Sequence, residues 1–194
     1  MNKKGFTLIE LLAVIVILGI ILGIAIPKVS DYIMGTRKDS LVSAGKLFIN
    51  AVRNDITSEK YPAPVGQNEV TIITLDKIKI EKSSEKSPFG GKYMYNKSYV
   101  AVINIGDGTD PNYLYFFAAQ DTKDYAIPLT EESKLDKSLI VAKAKNKMEK
   151  TIVEICGTEE GATSSFNSGL TGLSEYGNSW TATAFSSEKC GKND

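Results

Sequence analysis

The longest apolar run of the chain lies at its start, where the residues from Leu11 to Ile26 carry no charge. With the residues before it, this run forms an apolar segment from Phe6 to Ile26, 21 residues long. A helix of that length measures about 32 Å at ~1.5 Å per residue, which matches a ~30 Å hydrocarbon core. The pattern therefore predicts one membrane-spanning helix over residues 6–27.

From Lys28 the apolar positions recur every three or four residues, with charged residues between them. This period is typical of a half-buried helix, so residues 28–60 are predicted to continue the first helix as an amphipathic half. One helix then runs from about Phe6 to Ser58. Pro27 has no backbone N–H and is expected to kink it near the membrane surface, and the prolines at 62 and 64 are expected to end it.

The remainder, residues 61–194, reads as one globular α+β domain in which the long helix packs on an antiparallel β-sheet. Two β-rich runs joined by a Gly/Asp-rich loop, Ser98–Ile105 and Tyr113–Ala119, predict a hairpin. Residues 70–80 fit either a strand or a capped helical turn, and we favour the short helix. Further predicted strands are Lys92–Tyr95, Leu139–Val141, Thr151–Cys156 and Trp180–Phe185.

Glu10 is an acid inside the predicted span. A carboxylate within an apolar membrane helix is unfavourable by about 3 kcal/mol and tends to persist where it has a partner and a task. A simple anchor would not need this residue. The basic residues Lys3 and Lys4 precede the span and should stay cytoplasmic, so everything after Ile26 is predicted to lie outside the membrane.

The first residues, which run Lys-Lys-Gly-Phe-Thr-Leu-Ile-Glu into the apolar stretch, resemble the type IV pilin and pseudopilin family. The resemblance implies that a prepilin peptidase removes residues 1–5 by cutting between Gly5 and Phe6, and that the new terminal Phe6 is N-methylated. It also implies that Glu10 meets the terminal amine during filament assembly. Between Gly19 and Pro27 the helix is expected to loosen.

By the same resemblance, the chain is expected to be a structural subunit of a type IV pilus that serves surface adhesion or motility. The expected partners are identical or related pilin subunits, the processing peptidase and methylase, an inner-membrane assembly platform and an assembly ATPase. Before assembly the subunit would sit in the cytoplasmic membrane, and afterwards in a cell-surface filament. A pseudopilin or minor pilin of a type II secretion or competence system is the alternative. Pro88-Phe89-Gly90 resembles a turn that opens the sheet of major pseudopilins.

The composition predicts a disulfide and argues against metal binding and catalysis. The two cysteines, Cys156 and Cys190, lie in the last part of a chain predicted to be exported, so we expect them to pair and close the C-terminal region. The sequence has no histidine, and its cysteines lie too far apart for a zinc motif. No metal site and no cofactor are predicted, and no phosphate-binding loop or catalytic constellation indicates an enzyme.

The sequence disfavours four other interpretations. A secretory signal peptide cut after Ala25 would give a soluble secreted binding protein, but Glu10 and the length of the apolar run disfavour it. A lipoprotein would need a cysteine before Cys156. The loop from Asp107 to Asn112 offers oxygen ligands for calcium, although a hairpin loop needs the same residue types. The lysine-rich segment 134–150 contains offsetting acids and no stacking aromatics, so nucleic acid is not predicted as a partner.

Overall fold

The computed structural model describes residues 5, 7–78, 80, 86–107, 109–143, 163–166, 171–177 and 180–185. The chain divides into two compact units, residues 1–37 and 38–194. A single helix, α1, spans Leu8–Thr57 and contains Pro27 in its interior. This confirms the long N-terminal helix that the sequence predicts.

Helix α1 ends one turn before the prolines that were expected to stop it. Glu59 adopts a positive φ of 59°, which is the left-handed conformation of a helix C-terminus. The amide of Glu59 donates to the carbonyl of Ile56, and the amide of Lys60 donates to that of Asp55, both at 2.9 Å. These two bonds form a Schellman motif, so local capping ends the helix.

The second unit contains a seven-stranded sheet with the order β5-β4-β3-β2-β1-β7-β6. The strands are β1 Glu69–Thr74, β2 Tyr99–Asn104, β3 Tyr113–Gln120, β4 Tyr125–Glu131, β5 Val141–Ala142, β6 Thr163–Phe166 and β7 Trp180–Phe185. Neighbouring strands are antiparallel except β1 and β7, which are parallel. The fold class is α+β as predicted, but the sheet is mixed and not purely antiparallel. The last strand, β7, pairs with the first strand, β1, although the two are far apart in the sequence.

The short helix favoured for residues 70–80 is wrong. Strand β1 occupies the first part of this segment, and Leu75–Lys77 form a turn that is closed by a hydrogen bond from the amide of Lys77 to the carbonyl of Thr74. β1 pairs with β2 on one side and β7 on the other, and its residues from Val70 to Thr74 are buried. Pairing and burial of β-branched side chains outweigh the local capping signal.

Other predicted strands are shorter than expected. In the segment 92–95 only isolated bridges form, at Lys92 and Tyr93, before a 3₁₀ turn over Tyr95–Lys97. The segment 139–141 contributes little more than β5, because a 3₁₀ turn occupies Lys137–Leu139. The hairpin strands β2 and β3 and the last strand, β7, are confirmed. The predicted strand Thr151–Cys156 lies outside the described residues.

Strand β4 was not predicted from the sequence, and Pro128 explains why. A proline cannot donate to a sheet ladder, so a run that contains one reads as an interruption. Among the described residues β4 meets β5 only through Tyr125 and Ala126, and no described strand pairs with the outer side of β4 around Pro128. On its inner side the β3–β4 register shifts between Phe117 and Ala119. An irregular, mostly unpaired edge accommodates proline without the loss of a ladder bond.

The strands at the centre of the sheet are buried on both faces, which accounts for their nearly continuous apolar sequence. On one face, Phe117 of β3 stacks on Phe48 of α1 with ring centroids 6.0 Å apart. On the other face, Phe116 belongs to a cluster that includes Leu173 and Trp180. The helix and the segment 171–177 therefore cover opposite faces of the sheet.

Candidate functional site: the start of the long helix

Thr7 and Glu10 form a reciprocal pair of hydrogen bonds at the start of α1. The amide and the hydroxyl of Thr7 both donate to Oε2 of Glu10 at 2.8 Å, and the amide of Glu10 donates to the Thr7 hydroxyl oxygen at 3.3 Å. This is a capping box, the Thr-x-x-Glu arrangement that satisfies free amides at a helix N-terminus. It places the only acid of the predicted span at a fixed position in the first turn.

The two oxygens of the Glu10 carboxylate are used differently. Among the described residues both donors reach Oε2, and none reaches Oε1. The second oxygen can therefore accept another donor without disruption of the cap. Gly5 is exposed, and no atom of the chain lies within 4 Å of the position that a Cβ would take there. Phe6, the expected mature terminus, lies outside the described residues.

The apolar part of α1 presents its side chains outward. From Leu8 to Ile26 the large aliphatic residues are between 46% and 84% exposed within the chain. Only this helix, among the described residues, is long and apolar enough to cross a membrane, a judgement from length and composition. An apolar surface of this extent needs lipid or another protein to cover it.

Gly19, Gly23 and Pro27 lie in this apolar part. A Cβ at either glycine would meet nothing within 4 Å, so no packing inside the chain requires glycine there. Both residues lower helix propensity, and Pro27 cannot donate to the carbonyl of Gly23. The segment is helical throughout in the isolated chain. Its expected loosening in a filament stays a prediction.

The helical half that belongs to the second unit is fixed to the sheet by contacts that sequence reasoning missed. Arg53 donates to Glu132, and its guanidinium lies over the ring of Tyr115, 4.5 Å from the centroid. At Gly45 an added Cβ would lie 2.7 Å from the Phe117 ring, so this glycine lets the ring approach the helix backbone. Only the glycine within the amphipathic pattern could have indicated this contact from the sequence.

The turn around Pro88 docks on the β3–β4 hairpin. The Phe89 ring stacks on Tyr125 with 4.0 Å between centroids, and the amides of Lys92 and Thr122 make bonds of 3.0 and 2.9 Å across the two segments. Gly90 has a φ of +85°, a conformation that favours glycine. The turn is therefore a specific, well-anchored feature of the sheet.

In the candidate calcium loop, Asp107 is hydrogen-bonded to other residues of the same loop. Oδ1 of Asp107 accepts from the hydroxyl and amide of Thr109 and from the amide of Asp110, at 2.6, 2.9 and 2.9 Å. These bonds, that to the Thr109 hydroxyl above all, lower the pKa of the Asp107 carboxyl. Within the part of the chain that the structure describes, no group of three or more metal-ligating residues is found.

The lysine-rich segment lies partly outside the described residues, and the two cysteines lie wholly outside them. In the lysine-rich segment, Lys134 bridges to Glu175 at 2.7 Å and Lys137 bridges to Asp39 at 3.2 Å, so both are paired with acids. The rest of that segment after Lys143 lies outside the described residues. Cys156 and Cys190 also lie outside them, so their pairing stays a prediction.

Comparisons with known proteins concern this same N-terminal region. Residues 1–26 match the family model of the prokaryotic N-terminal methylation motif. The type IV major alpha-pilin of Moraxella bovis is 48% identical over 52 residues, which are 25% of this chain and 33% of that protein. Fimbrial protein Q of the same organism is 46% identical over 52 residues, with the same coverage. The chain thus matches about a third of the length of these relatives, and no solved structure matches it.

The chain thus combines an exposed apolar helix, which begins with a methylation motif, and a helix-on-sheet domain, the arrangement that the pilin resemblance implies. The motif and the two pilin relatives support the type IV pilin family for this chain. That support rests on the amino-terminal segment.

Proposed function

We propose that this chain is a structural subunit of a type IV pilus that is cleaved between Gly5 and Phe6, N-methylated on Phe6, and polymerised through its N-terminal helix. The filament would serve surface adhesion or motility. The observation that carries the proposal is Glu10, which a capping box holds at the start of an exposed apolar helix within the methylation motif. No catalytic chemistry is required of such a subunit.

The role of Glu10 in assembly follows from the free energy of a carboxylate in the membrane. Lipid already solvates the apolar side chains from Leu8 to Ile26, so their transfer to a filament core gains little hydrophobic free energy. A carboxylate in the bilayer is unfavourable by about 3 kcal/mol, and a nearby cation relieves that cost. Cleavage after Gly5 creates such a cation at the Phe6 amine. Glu10 Oε1 is the acceptor that we assign to the amine of a neighbouring subunit.

The proposed partners follow from the steps of cleavage, methylation and polymerisation. A prepilin peptidase and methylase would process the terminus, related subunits would share the filament core, and a membrane platform with an ATPase would extract each subunit from the bilayer. Before assembly the chain would be held in the cytoplasmic membrane by residues 6–27 with residues 61–194 outside. Lys3 and Lys4 support this orientation through the positive-inside rule.

A second candidate is a pseudopilin of a type II secretion or competence system. The docked turn at Pro88–Gly90 favours it, since the sequence of this turn resembles that of major pseudopilins. The two candidates differ in their filaments. A pilus subunit should yield abundant filaments that can be sheared from the cell surface, whereas a pseudopilin should yield few or none.

The test is to shear filaments from cells, image them and identify the subunit and its terminus by mass spectrometry. N-methylated Phe6 in sheared filaments would support the proposal. A secreted chain that begins at or beyond Ile26 would establish the soluble alternative. Gly5→Trp should block cleavage and leave an uncut, membrane-held precursor, while Asn2→Gln, also in the leader, should be processed normally.

A further inference from the structure

We propose that the two ends of the sheet in the second unit are oppositely charged docking surfaces, and that the acidic end of one copy of this chain binds the basic end of another. This inference rests on the proposed function, because it requires a filament in which copies meet. It concerns the globular domains and not the helical core.

The acidic end is formed where β1 starts, β2 ends and β3 starts. Val70 pairs with Ile103, and Asn104 pairs with Tyr113, so these three strand termini share one edge of the sheet. The segments 65–70 and 104–113 carry three acids and no lysine or arginine. All three acids, Glu69, Asp107 and Asp110, are exposed.

The basic end is at the opposite termini of the same strands. The β3–β4 turn contains Lys123, and the neighbouring turn places Lys86 and Lys92 opposite each other in a bridge. Lys143 follows β5, whose Ala142 pairs with Tyr125 just after the β3–β4 turn. All four lysines are exposed.

Two acids, Asp121 and Asp124, lie in the β3–β4 turn beside Lys123, so the four exposed lysines outnumber the acids of that turn. Asp121 in the β3–β4 turn is 2% exposed, and its Oδ1 accepts from the amides of Lys123 and Tyr125 at 2.9 Å. Oδ1 of this carboxylate therefore points into the turn and not towards the surface lysines. Among the described residues no salt bridge involves Lys86, Lys92 or Lys123. Their ammonium groups remain available to an external partner.

The geometry prevents the two ends from neutralising each other within one chain. β3 joins them and spans eight residues, Tyr113–Gln120. At ~3.4 Å per residue this strand is about 24 Å long, well beyond salt-bridge reach and beyond the ~10 Å Debye length at 0.1 M salt. Two copies placed end to end would bring the opposite charges together.

Exposed apolar residues at the acidic end favour a protein as the partner. Val65 is 76% exposed and Ile105 is 43% exposed, and the Asn104 side-chain amide connects their two loops by a 3.4 Å hydrogen bond to the Val65 carbonyl. A small apolar centre with a charged rim is the usual composition of a protein interface. The complementary charge belongs to the basic end of this same chain, so a second copy is the occupant.

The first test is zero-length carbodiimide crosslinking of intact sheared filaments, followed by peptide mass spectrometry. We expect isopeptide bonds between an acid of residues 107–110 and Lys92 or Lys123. The length of β3 means that such a bond must join two copies. The processed subunit in detergent, at a concentration where it is monomeric, serves as the control and should give none. Filaments that crosslink elsewhere but never between these ends would overturn the inference.

The second test is charge reversal in the full-length chain. Lys92→Glu with Lys123→Glu should lower filament yield several-fold at an unchanged level of processed membrane subunit, because like charges then meet. The matched control, Lys92→Arg with Lys123→Arg, should keep the yield of the unmodified chain. Addition of Asp110→Lys to the reversed pair should restore part of the yield.

The outcomes separate this inference from the proposed function. Normal filaments from the reversed-charge variant, or no gain on addition of Asp110→Lys, would overturn end-to-end docking while the pilus role stands. Absence of filaments from the unmodified chain, with the processed subunit present in the membrane, would overturn the proposed function and the docking with it.

Discussion

Thr7 donates two hydrogen bonds to a single oxygen of Glu10, both at 2.8 Å, and leaves the other carboxylate oxygen without a donor among the described residues. The Glu10 carboxylate can thus belong to the helix cap and to a contact between subunits at the same time. Thr7 and Glu10 both lie after the expected cut, so processing keeps the cap and adds the charged amine one residue before it.

Replacement of Thr7 by valine should weaken filament formation without loss of membrane insertion. Valine keeps the shape and the backbone amide but removes the hydroxyl that bonds to Glu10 in both directions. Loss of an N-cap costs about 1 kcal/mol, enough to let the first turn fray and the carboxylate move. The measurement is the filament yield relative to processed subunit in the membrane. Thr7→Ser retains the hydroxyl and should behave as the unmodified chain.

Replacement of Glu10 by valine should leave insertion intact and give few or no filaments. The change removes an intramembrane acid, which favours insertion, and removes the acceptor that we assign to the Phe6 amine. Ile9→Val, at the neighbouring position, is the control and should assemble normally. Filaments from Glu10→Val in normal amount would contradict the assembly role and leave the acid without a function.

Gly45→Ala should destabilise the second unit even though alanine favours helix by about 1 kcal/mol. The new methyl would lie 2.7 Å from the Phe117 ring, whose rigid aromatic atoms must shift. Overpacking of this kind costs roughly 1–3 kcal/mol. Urea denaturation of the detergent-solubilised protein measures the change. Gly35→Ala, where a Cβ meets nothing within 4 Å, is the matched control and should not destabilise the protein.

A test of this mechanism combines Gly45→Ala with Phe117→Leu. A leucine has no ring at the contact, so the double variant should lose less than the sum of the two single losses. Strictly additive losses would show that the Phe117 ring is not the obstacle, since residues in contact are expected to couple.

The sequence predicts well the parts of this protein that depend on local periodicity. The helix, the β2–β3 hairpin and β7 follow from apolar spacing and β-branched content. The capping box is also visible in the sequence as Thr-x-x-Glu. The apolar run that follows it predicts a membrane span, in which an acid indicates a functional residue more readily than a helix cap.

Tertiary pairing accounts for most of what the sequence did not predict. Residues 70–80 fit either a strand or a helical turn locally, and the first part of the segment is fixed as β1 by neighbours far along the chain, Tyr99 and Phe185 among them. β4 contains Pro128, which the sheet accommodates because no described strand pairs with the outer side of β4 there. The Arg53–Glu132 contact joins residues 79 positions apart, beyond the reach of any local pattern.

Tyr93 should make the second unit sensitive to alkali. Its ring packs edge-on against Phe48, and its hydroxyl is buried without a hydrogen-bond partner among the described residues. Burial, with a smaller contribution from the Asp121 charge, raises the pKa of Tyr93 well above its ordinary value of 10.0. Because the folded-state pKa is raised, the free energy of unfolding keeps its full value below pH 10.0 and falls above it. Above pH 10.0 the Tyr93 hydroxyl ionises in the unfolded chain while it stays neutral in the folded one.

Each pH unit above the ordinary pKa of one such group should cost about 1.4 kcal/mol of unfolding free energy. Tyr93→Phe removes the ionisable group and keeps the ring, so the loss of stability between pH 10 and 11, where the unfolded group is only partly ionised, should shrink by about 1 kcal/mol. At neutral pH the variant should be as stable as the unmodified chain or slightly more so, since an unpartnered buried hydroxyl disappears. Urea denaturation at several pH values measures both effects. Tyr113→Phe, at a partly exposed position, is the control, and an equal alkaline loss in the Tyr93→Phe variant and the unmodified chain would contradict this assignment.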